Sequence, residues 1–155
     1  MATVMDRSKV VVVLEDDQEV RGLLASVLQD QGYYVVPVER GERALEVLQQ
    51  VRATLLIMDL MLPEMDGKEV LQKLRADERT RDVPVLVLSA HAHLLGDKPT
   101  SKRNRVVDKP FEIDKVLAEV QKIIGKPGDE KALLSEVFTS SHFNNWSDSQ
   151  ITLEE

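Results

Sequence analysis

Four places in the chain set an acid, a hydroxyl or an amine directly after a short apolar run. Glu15, Asp16 and Asp17 follow Val10-Val11-Val12-Val13-Leu14, and Asp59 follows Leu55-Leu56-Ile57-Met58. Ser89 closes the run that begins at Val85, and Asp108-Lys109-Pro110 follows Val106-Val107. If these runs are parallel strands of one open α/β sheet, their carboxyl ends meet along one rim, where such sheets bind ligands. Grouped carboxylates suit a hard cation such as Mg²⁺, which keeps several waters and shares its sphere with phosphate. A carboxylate beside such a cation can act as a nucleophile towards phosphorus. Ser89 could bond a phosphoryl oxygen and Lys109 could neutralise another. The residue types point to phosphoryl chemistry.

The elements that must carry these residues alternate along the chain. The β-branched run 10–14 has no polar alternation, the mark of a strand buried on both faces. Val20, Leu23, Leu24, Val27 and Leu28 then recur at helical spacing. After Gly32, residues 33–38 read as a second strand, and Pro37 assigns it to a sheet edge because proline cannot donate to a ladder. Leu45, Leu48 and Val51 mark a second helix, and residues 55–58 a third strand. Asp66-Gly67-Lys68-Glu69 resembles a capping box and opens a third helix with Val70, Leu71 and Leu74 inward. Residues 85–88 form a fourth strand, Val106-Val107 the core of a fifth, and Ile113, Val116, Leu117, Val120 and Ile124 a last helix. Five strands alternating with helices predict a doubly wound α/β fold, a parallel sheet with right-handed crossovers.

Two stretches break this rhythm. Residues 94–105 stand where a fourth crossover helix belongs. They hold Gly96, Pro99 and the basic Lys98, Lys102, Arg103 and Arg105, so a helix there is expected to be short or distorted. At Lys126-Pro127-Gly128 the composition shifts, dividing a domain of residues 1–125 from an extension of residues 126–155. The extension has two basic and six acidic residues and half of the six aromatics, Phe138, Phe143 and Trp146. Leu133, Leu134, Val137 and Phe138 are spaced for one short amphipathic helix, which must dock on something to persist.

Composition narrows the class further. The 155 residues are 43% hydrophobic and 30% charged, enough apolar matter for a packed core. Twenty Lys and Arg against 27 Asp and Glu leave a net charge of −7, which argues against a partner read through nucleic-acid phosphates. The sequence has no cysteine, so disulfides, thiolate metal sites and a cysteine nucleophile are excluded. With neither a signal-like start nor an apolar run near 20 residues, a cytoplasmic protein without membrane insertion is expected.

In this order, each at a strand end, the motifs resemble the receiver domain of two-component response regulators. The resemblance runs from about Lys9 to Ile124. It rests on Leu14-Glu15-Asp16-Asp17 with Arg21 following, and on Met58-Asp59-Leu60-Met61-Leu62-Pro63-Glu64-Met65-Asp66-Gly67. Leu88-Ser89-Ala90 and Asp108-Lys109-Pro110-Phe111 complete it. It implies a flavodoxin-like (βα)₅ sheet of strand order 2-1-3-4-5, with Asp59 as the phosphoacceptor. It also implies Mg²⁺ held by Glu15, Asp16, Asp59 and the backbone carbonyl of Met61. The spacing to Arg21 favours Glu15 and Asp16 over Asp17 as the acidic pair. Ser89 matches the family's switch hydroxyl and Lys109 the lysine that pairs with the phosphoryl group. The Lys109-Pro110 bond is often cis in the family.

Other residues take plainer readings. Asp17 is a helix cap or a solvated acid. His91 and His93 sit on a loop without a third ligand and are assigned no metal. The basic stretch reads as a solvated loop, and the tail aromatics as cover for apolar surface of this domain or a twin subunit. The chain departs from the family at Val106, where an aromatic usually stands, and in the fourth crossover. The phosphorylation machinery is complete while the output side is remodelled. The expectation is a stand-alone receiver, not an enzyme. It takes its phosphoryl group from a sensor histidine kinase or a phosphotransfer protein. Its output runs through protein contacts, to an unknown downstream target or a homodimer, without direct nucleic-acid binding. Two rivals are a phosphorylation-independent interaction module and an aspartate-nucleophile phosphatase. The latter needs a second acid where Met61 stands.

Overall fold

The computed structural model of the protein describes residues 6–90 and 104–128. The elements run β1 (Asp6–Leu14), α1 (Gln18–Asp30), β2 (Tyr33–Val38), α2 (Gly41–Gln50), β3 (Leu55–Asp59) and α3 (Gly67–Ala76). They continue with β4 (Val85–Ser89), β5 (Asn104–Asp108) and α4 (Ile113–Ile124). Neighbouring strands all pair in parallel, in the spatial order β2-β1-β3-β4-β5. The order is the expected one, and it places the topological switch point between β1 and β3, the two strands that end in acids.

Successive residues of the central strands feed two separate cores, as the two-residue pleat requires. Val12, Leu14, Leu56 and Met58 pack with Val47 and Leu48 of α2 and Val70 and Leu74 of α3. Val11, Val13, Leu55 and Ile57 pack with Leu24 and Leu28 of α1 and Val116 and Val120 of α4. A fully buried side chain of this size contributes about 1.5–3 kcal/mol. Burial of β1 and β3 on both faces therefore holds their register firmly, and with it the height of the acids that follow. Pro37 lies opposite Val13 on the outermost strand β2, as its missing N–H demands.

Four local expectations need correction or refinement. β1 begins at Asp6, four residues before the apolar run, and its register with β2 shifts between Asp6 and Val10. On α1 the stripe that meets the sheet is Leu24, Ala25 and Leu28, while Leu23 is 49% exposed. The 100° step per residue turns Leu23 off the narrow contact line that Leu24 and Leu28 share. On α2 the inward line is likewise Ala44, Val47 and Leu48, with Leu45 and Val51 at its margin. The capping box at α3 is half built. Asp66 Oδ1 accepts from Lys68 N at 2.9 Å, whereas the Glu69 carboxylate turns to Lys73 at 3.6 Å.

The expectations for His91, His93, residues 94–103 and the helix around Leu133 to Phe138 lie outside the described residues, as do Phe143 and Trp146. Among the described residues no helix is long and apolar enough to cross a membrane.

Candidate functional site

The carboxyl ends of β1, β3, β4 and β5 converge on one crevice. Glu15 continues from β1, its N–H donating to Val38 O at 3.1 Å. Its Oε2 accepts from Asp17 N at 3.1 Å. Asp17 itself starts α1, its Oδ1 accepting from Glu19 N (2.9 Å) and Val20 N (3.1 Å). It is the helix cap, and its carboxylate is spent there. Arg21 lies on the next turn and donates from Nη1 to the carbonyl oxygens of Glu15 (2.9 Å) and Asp16 (3.3 Å). The spacing between the acids and Arg21 thus has a physical cause: the guanidinium braces the backbone of the acid pair.

Asp59 ends β3 and is only 8% exposed. Its Oδ1 accepts from Met61 N at 2.9 Å, and its Oδ2 receives Lys109 Nζ at 2.5 Å. The same ammonium stands 3.5 Å from Glu15 Oε1. Carboxylate oxygens of Glu15, Asp16 and Asp59 lie within 4.8 Å of one another. Three carboxylates therefore face one ammonium. The donors are all hard oxygens and retain an excess of negative charge, so the group fits a small divalent cation such as Mg²⁺.

Burial is the first influence on the chemistry of this cluster. Glu15 is 2% exposed, and burial, joined by the charge of Asp59, pushes its carboxyl above the ordinary range. The Asp17 N–H and Lys109 oppose that rise without cancelling it. For Lys109, burial pulls the amine down, but the hydrogen bond to Asp59 and the charges of Glu15 and Asp59 outweigh it. The amine is held above its usual value and stays charged.

Ser89, fully buried, ends β4 next to this pair. Leu88 pairs with Asp59 across the sheet, and Ser89 O accepts from Lys109 N at 3.1 Å. The Lys109-Pro110 peptide is cis. Met61 is 51% exposed at the mouth. Glu15, Asp16, Asp59 and Lys109 are thus brought to the crevice, with Ser89 beside them, whereas Asp17 caps α1 and Asp108 is exposed at the end of β5. Two features escaped sequence reasoning. Arg40 Nη1 reaches across the rim to Glu64 (3.0 and 3.3 Å), an exposed pair with no local spacing to announce it. Gly67 packs directly on Leu60, donating its N–H to Leu60 O at 2.8 Å. The Asp-Gly dipeptide was its only signal.

The fold and the site together define an acidic-pocket class of doubly wound α/β module, with three carboxylates and a lysine gathered at the carboxyl ends of the strands. The profile described as the response regulator receiver domain matches residues 11–121, and the chain belongs to that family. Response regulator receiver protein CpdR of Brucella abortus is 31% identical over 118 residues, covering 75% of this chain and 97% of CpdR. The DNA-binding dual master transcriptional regulator RpaA of Synechocystis is 34% identical over 117 residues, 74% of this chain and 48% of RpaA. The chain thus spans about half the length of some curated relatives and nearly all of others.

Solved structures agree with the fold. The response regulator TrrA of Thermotoga maritima, in complex with Mg²⁺ and BeF, is 30% identical with a TM-score of 0.65, covering 74% of this chain and 98% of that one. The receiver domain of the sensor histidine kinase PA1611 of Pseudomonas aeruginosa has magnesium coordinated in its active-site cleft. It is 28% identical with a TM-score of 0.66, over 76% and 98% of the two chains.

Proposed function

We propose that this chain accepts a phosphoryl group on Asp59 from the phosphohistidine of a sensor histidine kinase or a phosphotransfer protein. The observation that carries this is the Asp59 carboxylate held between Met61 N and Lys109 Nζ, with Glu15 and Asp16 within 4.8 Å. Mg²⁺ is assigned to Glu15, Asp16, Asp59 and the backbone carbonyl of Met61. There it supplies positive charge to the phosphoryl oxygens; the magnesium-bearing neighbours support the assignment.

In the transfer, an Asp59 oxygen attacks phosphorus and the O–P bond forms as the N–P bond to the imidazole breaks. The ring, protonated on its other nitrogen, leaves neutral. Lys109 moves its ammonium from Asp59 to a phosphoryl oxygen, and the Ser89 hydroxyl donates to another. Positioning and charge are the protein's main contributions, so the domain is read as a signalling module rather than an enzyme.

Residues 1–125 are the receiver and residues 126–155 an extension. A cytoplasmic, stand-alone protein signalling through protein contacts suits relatives such as CpdR, which the match covers almost whole. Val106 occupies the usual aromatic position with a half-buried aliphatic side chain. It favours the second reading, an interaction module indifferent to phosphorylation. Intact mass after incubation with Mg²⁺ and acetyl phosphate separates the two. One added phosphoryl group, lost in Asp59→Asn, supports the acceptor. An unchanged wild-type mass beside a labelled control receiver selects the silent module.

A further inference from the structure

The lysine of the site stands directly after β5, a five-residue edge strand whose apolar pattern is ambiguous. Val106 and Val107 are adjacent and identical, and they face opposite cores. Val107 packs with Leu86, Leu88 and Val116, and Val106 packs at the margin of the cluster holding Val85 and Val87. The observed register sets Val87 against Val106 and Leu88 against Val107. If β5 slid one residue towards its carboxyl end, Val106 would fill the place of Val107 with an identical side chain. Arg105 would then take the half-buried position. A one-residue slip reverses every side chain and moves each Cα by about 3.3 Å. That displacement would carry Lys109 Nζ out of reach of Asp59, from which it now stands 2.5 Å away. Apolar burial alone resists this slip weakly.

Polar contacts resist it instead. Arg75, at the carboxyl end of α3, donates from Nη1 to the carbonyls of Arg81 (2.8 Å) and Val83 (2.7 Å). These bonds anchor the guanidinium to the segment entering β4. Its Nη2 donates to Asn104 Oδ1 at 2.5 Å, and Asn104 is the first residue of β5. The planar fork bridges the amino ends of both strands with charge-assisted bonds, the strong kind. Arg105 adds a 2.9 Å pair with Glu119 of α4. We propose that Arg75 and Asn104 are positioning residues for Lys109: their hydrogen bond sets the register of β5 against β4 and so places the amine against Asp59. The role assigned to Lys109 rests on the phosphoacceptor reading above; the register does not.

Asn104 is the residue to vary, because Arg75 also holds two carbonyls whose loss would disturb the fold. Asn104→Ala and Asn104→Ser remove or shorten the acceptor, while Asn104→Asp keeps it. In amide NMR spectra of the full chain, wild type and Asn104→Asp are expected to give one set of β5 resonances, with Val87 beside Val106. Asn104→Ala and Asn104→Ser are expected to add a second set with Val87 beside Arg105. With Mg²⁺ and acetyl phosphate they should gain mass about tenfold more slowly, and Asn104→Asp at the wild-type rate. A single set in the wild-type register for both Asn104→Ala and Asn104→Ser overturns the proposal, whatever their rates. A wild type that takes up no phosphoryl group rejects the phosphoacceptor reading instead, and the spectra alone then decide the register.

Discussion

Replacing Gly67 by alanine should damage the fold and the site together, and the contact distances say by how much. A Cβ on Gly67 would press into Leu60 O, and would lie 2.7 Å from Leu60 Cα and 2.8 Å from Met58 Cε. Ordinary carbon contacts sit near 3.5 Å, so α3 and the Leu60 backbone must part by about 1 Å. Overpacking of this kind costs about 1–3 kcal/mol. The Gly67 N to Leu60 O bond at 2.8 Å is strained as well, and a typical hydrogen bond is worth about 1 kcal/mol. The helix propensity gained from alanine returns up to about 1 kcal/mol. A net loss of about 1–3 kcal/mol remains, or about 4–12 °C in Tm for a domain of this size. Leu60 lies between Asp59 and Met61, whose N–H holds Asp59 Oδ1, so phosphoryl uptake should slow too. Thermal melts and intact-mass time courses of Gly67→Ala test both effects. Adding Met58→Ala should not rescue it, because the closest clash is with backbone. Gly41→Ala is the contrast: its Cβ would meet the Val70 side chain at 2.8 Å, so its cost should shrink in a Val70→Ala background. A Gly67→Ala protein that melts with wild type would refute the reasoning.

Two further outcomes follow from the same geometry. Gly22, exposed within α1, has nothing within 4 Å of where an alanine methyl would stand, so Gly22→Ala should raise stability by about 0.5–1 kcal/mol in a urea melt; a loss would mean that this face of α1 is covered. In the metal-free protein the folded state holds the Glu15 proton more tightly than the unfolded chain does. The contribution of Glu15 is therefore present below its ordinary 4.5 and is lost as pH rises through the raised value. The urea midpoint in EDTA should fall from that cause between pH 4.5 and neutrality, more steeply in wild type than in Glu15→Gln. Added Mg²⁺ at neutral pH should restore the wild-type midpoint and leave Glu15→Gln nearly unmoved; equal pH slopes in the two proteins would contradict the account.

The strands, their parallel pairing and the acids at their ends were legible in the sequence because each depends on nearest neighbours along the chain. An unbroken β-branched run such as residues 10–14 can only be buried on both faces, and Pro37 can only sit at an edge. Once the strands are parallel, Glu15, Asp16, Asp59, Ser89 and Lys109 have to meet at one rim. Asp17 was readable as a cap because a cap bonds residues two and three positions on. What lay beyond the sequence depends on partners far apart in the chain. Leu23 fits a helical stripe as well as Leu24 does, and only the line of contact with the sheet turned one outward. Arg75 and Asn104 are 29 residues apart, and a polar pair at that separation leaves no periodic trace. The register of β5 was undecided for the same reason: two adjacent valines satisfy either choice, and the tertiary structure settles it through hydrogen bonds that a hydrophobic pattern does not encode.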